Sequence, residues 1–165
     1  MTTTNTTDAA ATVRARRRVT LNRQTPQIYK ALADLDGLVA GSGLEAPLLE
    51  LVRIRASQIN GCAYCIDMHT IDARAAGERE QRIYALTAWR ETPFFTGRER
   101  AALELTEAVT LLPGGVSDEV YDQAAQHFSE DELAKLIWAV IVINAWNRVG
   151  VTSRLAPGHY HPSSG

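Results

Sequence analysis

The stretch Leu136-Ile-Trp-Ala-Val-Ile-Val-Ile-Asn-Ala-Trp146 constrains this chain more than any other. It follows Ser129 and Glu132, whose spacing forms the reciprocal cap that opens a helix, so it lies inside a helix expected over about 130–153. Apart from Asn144 it is apolar around its whole circumference. A surface helix needs one apolar stripe, whereas a helix apolar all round has to be buried on every side. Either it is the central helix of a monomeric core, or another subunit covers part of it.

The rest of the chain reads as helices separated by short breaks. Pro26 suits a first helical turn, and Ile28, Ala31, Leu32, Leu35 and Leu38 recur at helical spacing up to Gly41 and Gly43. Pro47 opens a second helix with Leu48, Val52, Ala56 and Ile59 on one stripe, stopped by Asn60-Gly61. A third runs to Gly77, and a fourth is expected from Glu78 to Arg90. Thr96 with Glu99 is another capping box, opening a helix through Ala102, Leu105, Val109 and Leu112 that Pro113-Gly114-Gly115 ends. Ser117 caps a short helix with Asp118 and Glu119 in its first turn. No stretch alternates with period two between turn signals, so the expected class is all-α.

With 165 residues the chain is one domain's worth. We place it at 26–157, after a flexible, Thr- and Arg-rich extension (1–25) and before a Gly/Pro/Ser-rich tail (158–165). A net charge of −2 argues against nucleic acid or an anionic membrane as the main partner. The longest apolar run, Leu136 to Ile143, falls short of a membrane span. The arginines of the extension are not followed by the apolar stretch of a secretory signal. With two cysteines in total, a secreted disulfide scaffold is excluded, and a reducing cytoplasm is the expected location.

Those two cysteines carry the chemistry. They stand in Cys62-Ala-Tyr-Cys65-Ile-Asp-Met-His69. On a helix, positions i, i+3 and i+7 share one face, so both thiols and the imidazole point the same way. Asn60-Gly61 puts Cys62 at or near a helix N-terminus, where unpaired N–H groups favour a thiolate. One helical turn also separates the two Cα atoms by roughly the 5.5 Å a disulfide needs, so the pair reads as a reversible redox couple. Glu50, among Leu48, Leu49, Leu51 and Val52, is a partly buried carboxylate in need of a partner. If the chain reverses at Asn60-Gly61, equal helical rises bring Glu50 level with His69, giving a relay Glu50–His69–Cys65 with Cys65 as nucleophile. Arg53 or Arg55 on its own helix would serve Glu50 as well.

At this spacing the sequence resembles the AhpD-like alkylhydroperoxidases of the carboxymuconolactone decarboxylase superfamily. The resemblance is carried by Glu50, Cys62-x-x-Cys65-x-x-x-His69 and Asn144-Ala-Trp-Asn-Arg148, and runs from about Pro26 to Pro157. It implies a helical domain with a central hairpin bearing the C-x-x-C, assembled as a homotrimer or a dimer of trimers. It also implies a thiol peroxidase with no bound cofactor. In that scheme Cys65 attacks the hydroperoxide substrate, Cys62 resolves its sulfenic acid, and Glu50 and His69 move the proton. The implied partners are an external lipoyl-type dithiol reductant or a peroxiredoxin. One position departs from the family pattern: a histidine usually precedes the second cysteine, and here Tyr64 stands there, a phenol that is no base near pH 7.

Two other readings stay open. Cys62, Cys65, His69 and Glu50 are four potential zinc ligands, although roughly 10 Å of helix axis separates the first from the third. Alternatively, the protein is a non-enzymatic oligomer that senses redox state or binds a partner.

Overall fold

A computed structural model describes residues 18–162; most of the expected N-terminal extension lies outside them. Among the described residues there are helices and no strand. In chain order they are α1 (Leu21–Gln24), α2 (Pro26–Ala40), α3 (Ala46–Asn60), α4 (Ala63–Ala75), α5 (Glu80–Ala85), α6 (Gly97–Thr110), α7 (Asp118–Ala125) and α8 (Glu130–Ser153). Short 3-10 turns follow α5 (Leu86–Glu91) and α6 (Leu112–Gly114).

The helix ends obey the sequence signals. Thr96/Glu99 and Ser129/Glu132 both form complete capping boxes, and the Ser117 hydroxyl accepts from Val120 N–H. The helix expected over 78–90 is different. It is a six-residue α-helix that tightens into a 3-10 segment, with Ala88 off helical geometry at φ −118°. No Gly or Pro marks this break. It places Leu86 and Trp89 in a core cluster with Leu51, Ile54 and Leu103, so tertiary burial overrides local helical preference there.

The centre of the fold is α3, which packs against α4, α6 and α8. Leu51, Val52, Ile54, Ala56 and Ser57 are fully buried. Its charged residues are paired rather than solvated: Arg55 donates to Glu107 at 2.8 Å, and Arg53 bridges Glu50 at 2.8 Å and Asp36 at 3.0 Å. Helix α8 buries Leu136, Ala139, Val140, Val142 and Ile143 but leaves Trp138 and Ile141 exposed. The expectation of burial on every side therefore fails within one chain. By length and composition α8 is long and apolar enough to cross a membrane, beyond what its uninterrupted apolar run suggests. In the fold it is a packing helix.

Both ends of the domain are tied down. Arg18 N–H reaches the Ser153 carbonyl, and α1 packs on α2. At the other end Gly158 N–H donates to Asp67 (2.7 Å) and the Tyr160 hydroxyl donates to Asp72 (2.8 Å), so the start of the tail lies along α4.

Candidate active site

The α3–α4 hairpin turns on one residue. Gly61 adopts φ 64°, the left-handed conformation that stops a helix and that a Cβ disfavours. Cys62 N–H then returns to the Ser57 carbonyl at 3.0 Å, and Cys62 becomes the N-cap of α4. Its sulfur accepts from Cys65 N–H at 3.3 Å, so the N-terminal end of the helix is directed at sulfur. Cys62 and Cys65 are joined as a disulfide with Cα atoms 5.3 Å apart. Both are buried, 1% and 3% exposed.

His69 lies one turn beyond Cys65 on α4 and is buried. Its Nδ1 is 2.9 Å from Glu50 Oε2, across the hairpin. The alternatives for Glu50 resolve into both at once: Oε2 meets His69 while Oε1 accepts from Arg53. Arg55 is engaged elsewhere. Burial alone would raise the Glu50 pKa, but the His69 and Arg53 contacts outweigh it and hold the carboxyl below its usual range. Glu50 is therefore an ionised group that orients the imidazole.

Two further residues complete the cluster. Asp72, one turn past His69, brings a carboxylate oxygen so that single ligand atoms of Glu50, His69 and Asp72 all lie within 4.8 Å of one another. Tyr160 donates to that carboxylate, and burial together with Asp72 pushes the phenol pKa up to about 12. The zinc set of two cysteines, His69 and Glu50 is not assembled, because the sulfurs are bonded to each other and Glu50 bonds directly to His69 and Arg53.

The far wall comes from α8. Asn147 is fully buried; its side chain donates to Ser57 Oγ and accepts from Asn60, each at 2.9 Å, bolting α8 to the end of α3. Asn60 also donates to Asn144 at 2.9 Å, and Arg148 braces Asn144 from outside. Three residues on, Gly150 abuts the disulfide: a Cβ there would stand 2.7 Å from Cys62 Sγ and 3.5 Å from Cys65 Sγ. Gly→Ala inside a helix normally stabilises by about 0.5–1 kcal/mol. Here overpacking against sulfur costs about 1–3 kcal/mol and reverses the sign. Gly150→Ala is thus expected to lower unfolding stability by about 1–2 kcal/mol, read from urea denaturation of the oxidised protein.

Spacing could have revealed Asp72, which shares the helix face of Cys65 and His69. Nothing local marks Gly150 or Tyr160, whose roles depend on α8 and the tail returning to the hairpin. Tyr64 is half-buried and packs on the sulfur cluster beside Trp146.

Comparison with known proteins agrees with this arrangement. Residues 26–108 match the carboxymuconolactone decarboxylase family. The uncharacterized protein YdfG of Bacillus subtilis is 44% identical over 135 residues, spanning 81% of this chain and 92% of that protein. A crystal structure from Agrobacterium tumefaciens, of a protein of unknown function whose suggested role is antioxidant defence as an AhpD, superposes with TM-score 0.81 and 38% identity, covering 90% of this chain and all of that one. An uncharacterized peroxidase-related protein with an alkylhydroperoxidase AhpD core, from Ralstonia eutropha JMP134, shares the fold at TM-score 0.74 and 17% identity, covering 84% of this chain and 74% of that one.

Proposed function

The chain belongs to the carboxymuconolactone decarboxylase family, as an AhpD-like member with a C-x-x-C pair, and from that premise we propose that it is a thiol peroxidase reducing hydroperoxides. The observation that carries this reading is the Glu50–His69 pair at 2.9 Å, set one turn beyond a Cys62/Cys65 couple at a helix N-terminus.

In the reduced protein His69, oriented by Glu50, takes the proton of Cys65. The thiolate attacks the distal oxygen of ROOH; a sulfur–oxygen bond forms and the oxygen–oxygen bond breaks. The alkoxide leaves with the proton from His69 as ROH. Cys62 thiolate then attacks the sulfenic sulfur of Cys65, and hydroxide departs with a proton as water, leaving the disulfide. An external dithiol reopens it by exchange, itself becoming a disulfide. The sum is ROOH + dithiol → ROH + water + disulfide.

A cytoplasmic location would supply such a dithiol, of the lipoyl type, or a peroxiredoxin as a redox partner. The exposed Trp138 and Ile141 of α8 favour an assembly of copies, a homotrimer or a dimer of trimers, over a monomer. Steady-state consumption of cumene hydroperoxide with dihydrolipoamide, thioredoxin or glutathione as reductant tests the reading. Turnover with at least one dithiol is expected; none with any reductant contradicts it. The burial of both sulfurs favours one rival, a slow redox sensor. That rival predicts oxidation of the cysteines without sustained turnover.

A further inference from the structure

We propose that Trp146 is the hydrogen-bond donor that receives the Cys65 thiolate when the disulfide opens, so that reduction completes the hydrogen bonding around the sulfurs. This takes from the thiol-peroxidase reading only that the Cys62/Cys65 pair is reversibly reduced, and its test involves no peroxide.

A thiolate enclosed by protein needs donors, because burial among apolar groups opposes ionisation. Cys62 has one: its sulfur accepts from Cys65 N–H at 3.3 Å. Cys65 is 3% exposed, and among the described residues no hydrogen bond reaches its sulfur. The neighbouring amides are already engaged, Asn60 with Asn144 and Asn147, and Asn147 with Ser57. Trp146 is the exception. It packs on the cluster of Ala56, Cys62, Cys65 and Ile143, yet its indole N–H is buried without a hydrogen-bond partner among the described residues. A buried donor left unpaired is costly, so it calls for an explanation. The ring is held by Tyr29, packed edge-on with centroids 5.1 Å apart. The hydroxyls of Ser42 and Ser153 are also buried and unpaired. Ser42 precedes α3, at the end opposite the cysteines, and Ser153 lies about two turns along α8 from Trp146.

The acceptor changes with redox state. A disulfide sulfur accepts hydrogen bonds weakly, whereas a thiolate accepts a charge-assisted one. Two electrons from the external dithiol break the sulfur–sulfur bond, and His69 takes the Cys65 proton. The sulfurs then have to separate. Gly150 closes on Cys62 more tightly than on Cys65, since a Cβ there would stand 2.7 Å from the first sulfur and 3.5 Å from the second. Cys65 is thus the side chain with room to turn to another rotamer. The ionisable groups around the pair are Glu50 on α3, Tyr64, His69 and Asp72 on α4, Tyr29 on α2 and Tyr160 in the tail. Arg148, the one charged residue of α8 between Trp146 and Ser153, is exposed and bonded to Asn144. None of these is altered in the test.

The test uses the full chain. Isotope labelling of the indole nitrogens gives one N–H signal for each of the three tryptophans. Trp89, which donates to Glu107 at 2.8 Å, and Trp138, which is 51% exposed, are internal controls. Reduction at mildly alkaline pH is expected to move the Trp146 signal downfield, and acidification that protonates the thiolate should move it back, with both controls unmoved. A Trp146 signal that does not respond to reduction, or whose response ignores pH, overturns the proposal. The second arm reads the ultraviolet absorbance of the thiolate in Cys62→Ser, which leaves Cys65 as the single thiol. Adding Trp146→Phe should raise the pH at which that absorbance appears by about one pH unit, the weight of one charge-assisted hydrogen bond. The benzothiophene analogue of tryptophan, which keeps the ring shape and lacks the N–H, should do the same at position 146. An effect of Trp146→Phe that the analogue does not share is packing alone and overturns the proposal, as does a titration moved by Ser153→Ala instead. Absence of peroxide turnover with both arms as expected would count against the peroxidase reading and leave this donor in place.

Discussion

Cys65→Ser is expected to abolish hydroperoxide turnover, with kcat/KM falling by at least about a thousandfold, because a serine hydroxyl is far less nucleophilic than a thiolate. Cys62→Ser should behave differently. Its first half-reaction survives, so one equivalent of peroxide converts Cys65 to a sulfenic acid that dimedone traps and intact-mass measurement detects. The contrast is the informative part. The N-cap position stabilises a thiolate at Cys62, whose sulfur already accepts from Cys65 N–H, whereas His69 lies one turn from Cys65. If the helix terminus rather than the imidazole chose the nucleophile, the trappable sulfenic acid would appear in the Cys65→Ser protein. Turnover that persists in Cys65→Ser would remove the proposed division of labour.

Glu50→Gln carries the second largest effect. It preserves side-chain volume but removes the charge that holds His69. Loss of a positioned acid–base couple lowers rates by about 10²–10⁴. We expect kcat/KM to fall by about a hundredfold, since the imidazole remains in place but is no longer held by an anion. The same substitution has a signature in stability. The folded Glu50 carboxyl lies below its ordinary value of 4.5, so it binds its proton less readily than in the unfolded chain. Its contribution is therefore fully present above pH 4.5 and is lost as the pH falls through the lower, folded value. Thermal unfolding of the wild type should lose midpoint temperature below that pH, and Glu50→Gln should show a shallower acid decline. An equally steep decline in the variant would mean that Glu50 is not the group responsible.

The hairpin and the placement of its side chains were legible because both follow from local rules. Asn60-Gly61 ends one helix, Cys62 caps the next, and equal helical rises then bring Glu50 opposite His69. The pairing of Glu50 with both His69 and Arg53 could not be decided from spacing, since each partner lies within reach. The centre of the fold was harder to read. Hydropathy points to α8, yet α3 with its Glu, Arg, Ser and Gln residues is the most enclosed helix. Its polar groups are tolerated there because each finds a charged or amide partner: Arg55 on Glu107, Arg53 on Asp36, Ser57 with Asn147. Such partners come from distant segments and leave no trace in a local pattern. Gly150 is invisible for a related reason. Within a helix a glycine reads as a weakness, and only the arrival of two sulfurs at its Cα turns it into a requirement. Tyr160 belongs to a tail whose composition suggests nothing, but its hydroxyl reaches Asp72 in the cluster beside His69.

The most direct test of the central claim is a single turnover without any reductant. Fully reduced protein is mixed with one equivalent of cumene hydroperoxide, and thiols, peroxide and alcohol are measured together. Both thiols should disappear, peroxide should be converted to alcohol one for one, and peptide mapping should find Cys62 linked to Cys65. Thiols that stay reduced while the peroxide persists, or peroxide lost without a Cys62–Cys65 link, would contradict it.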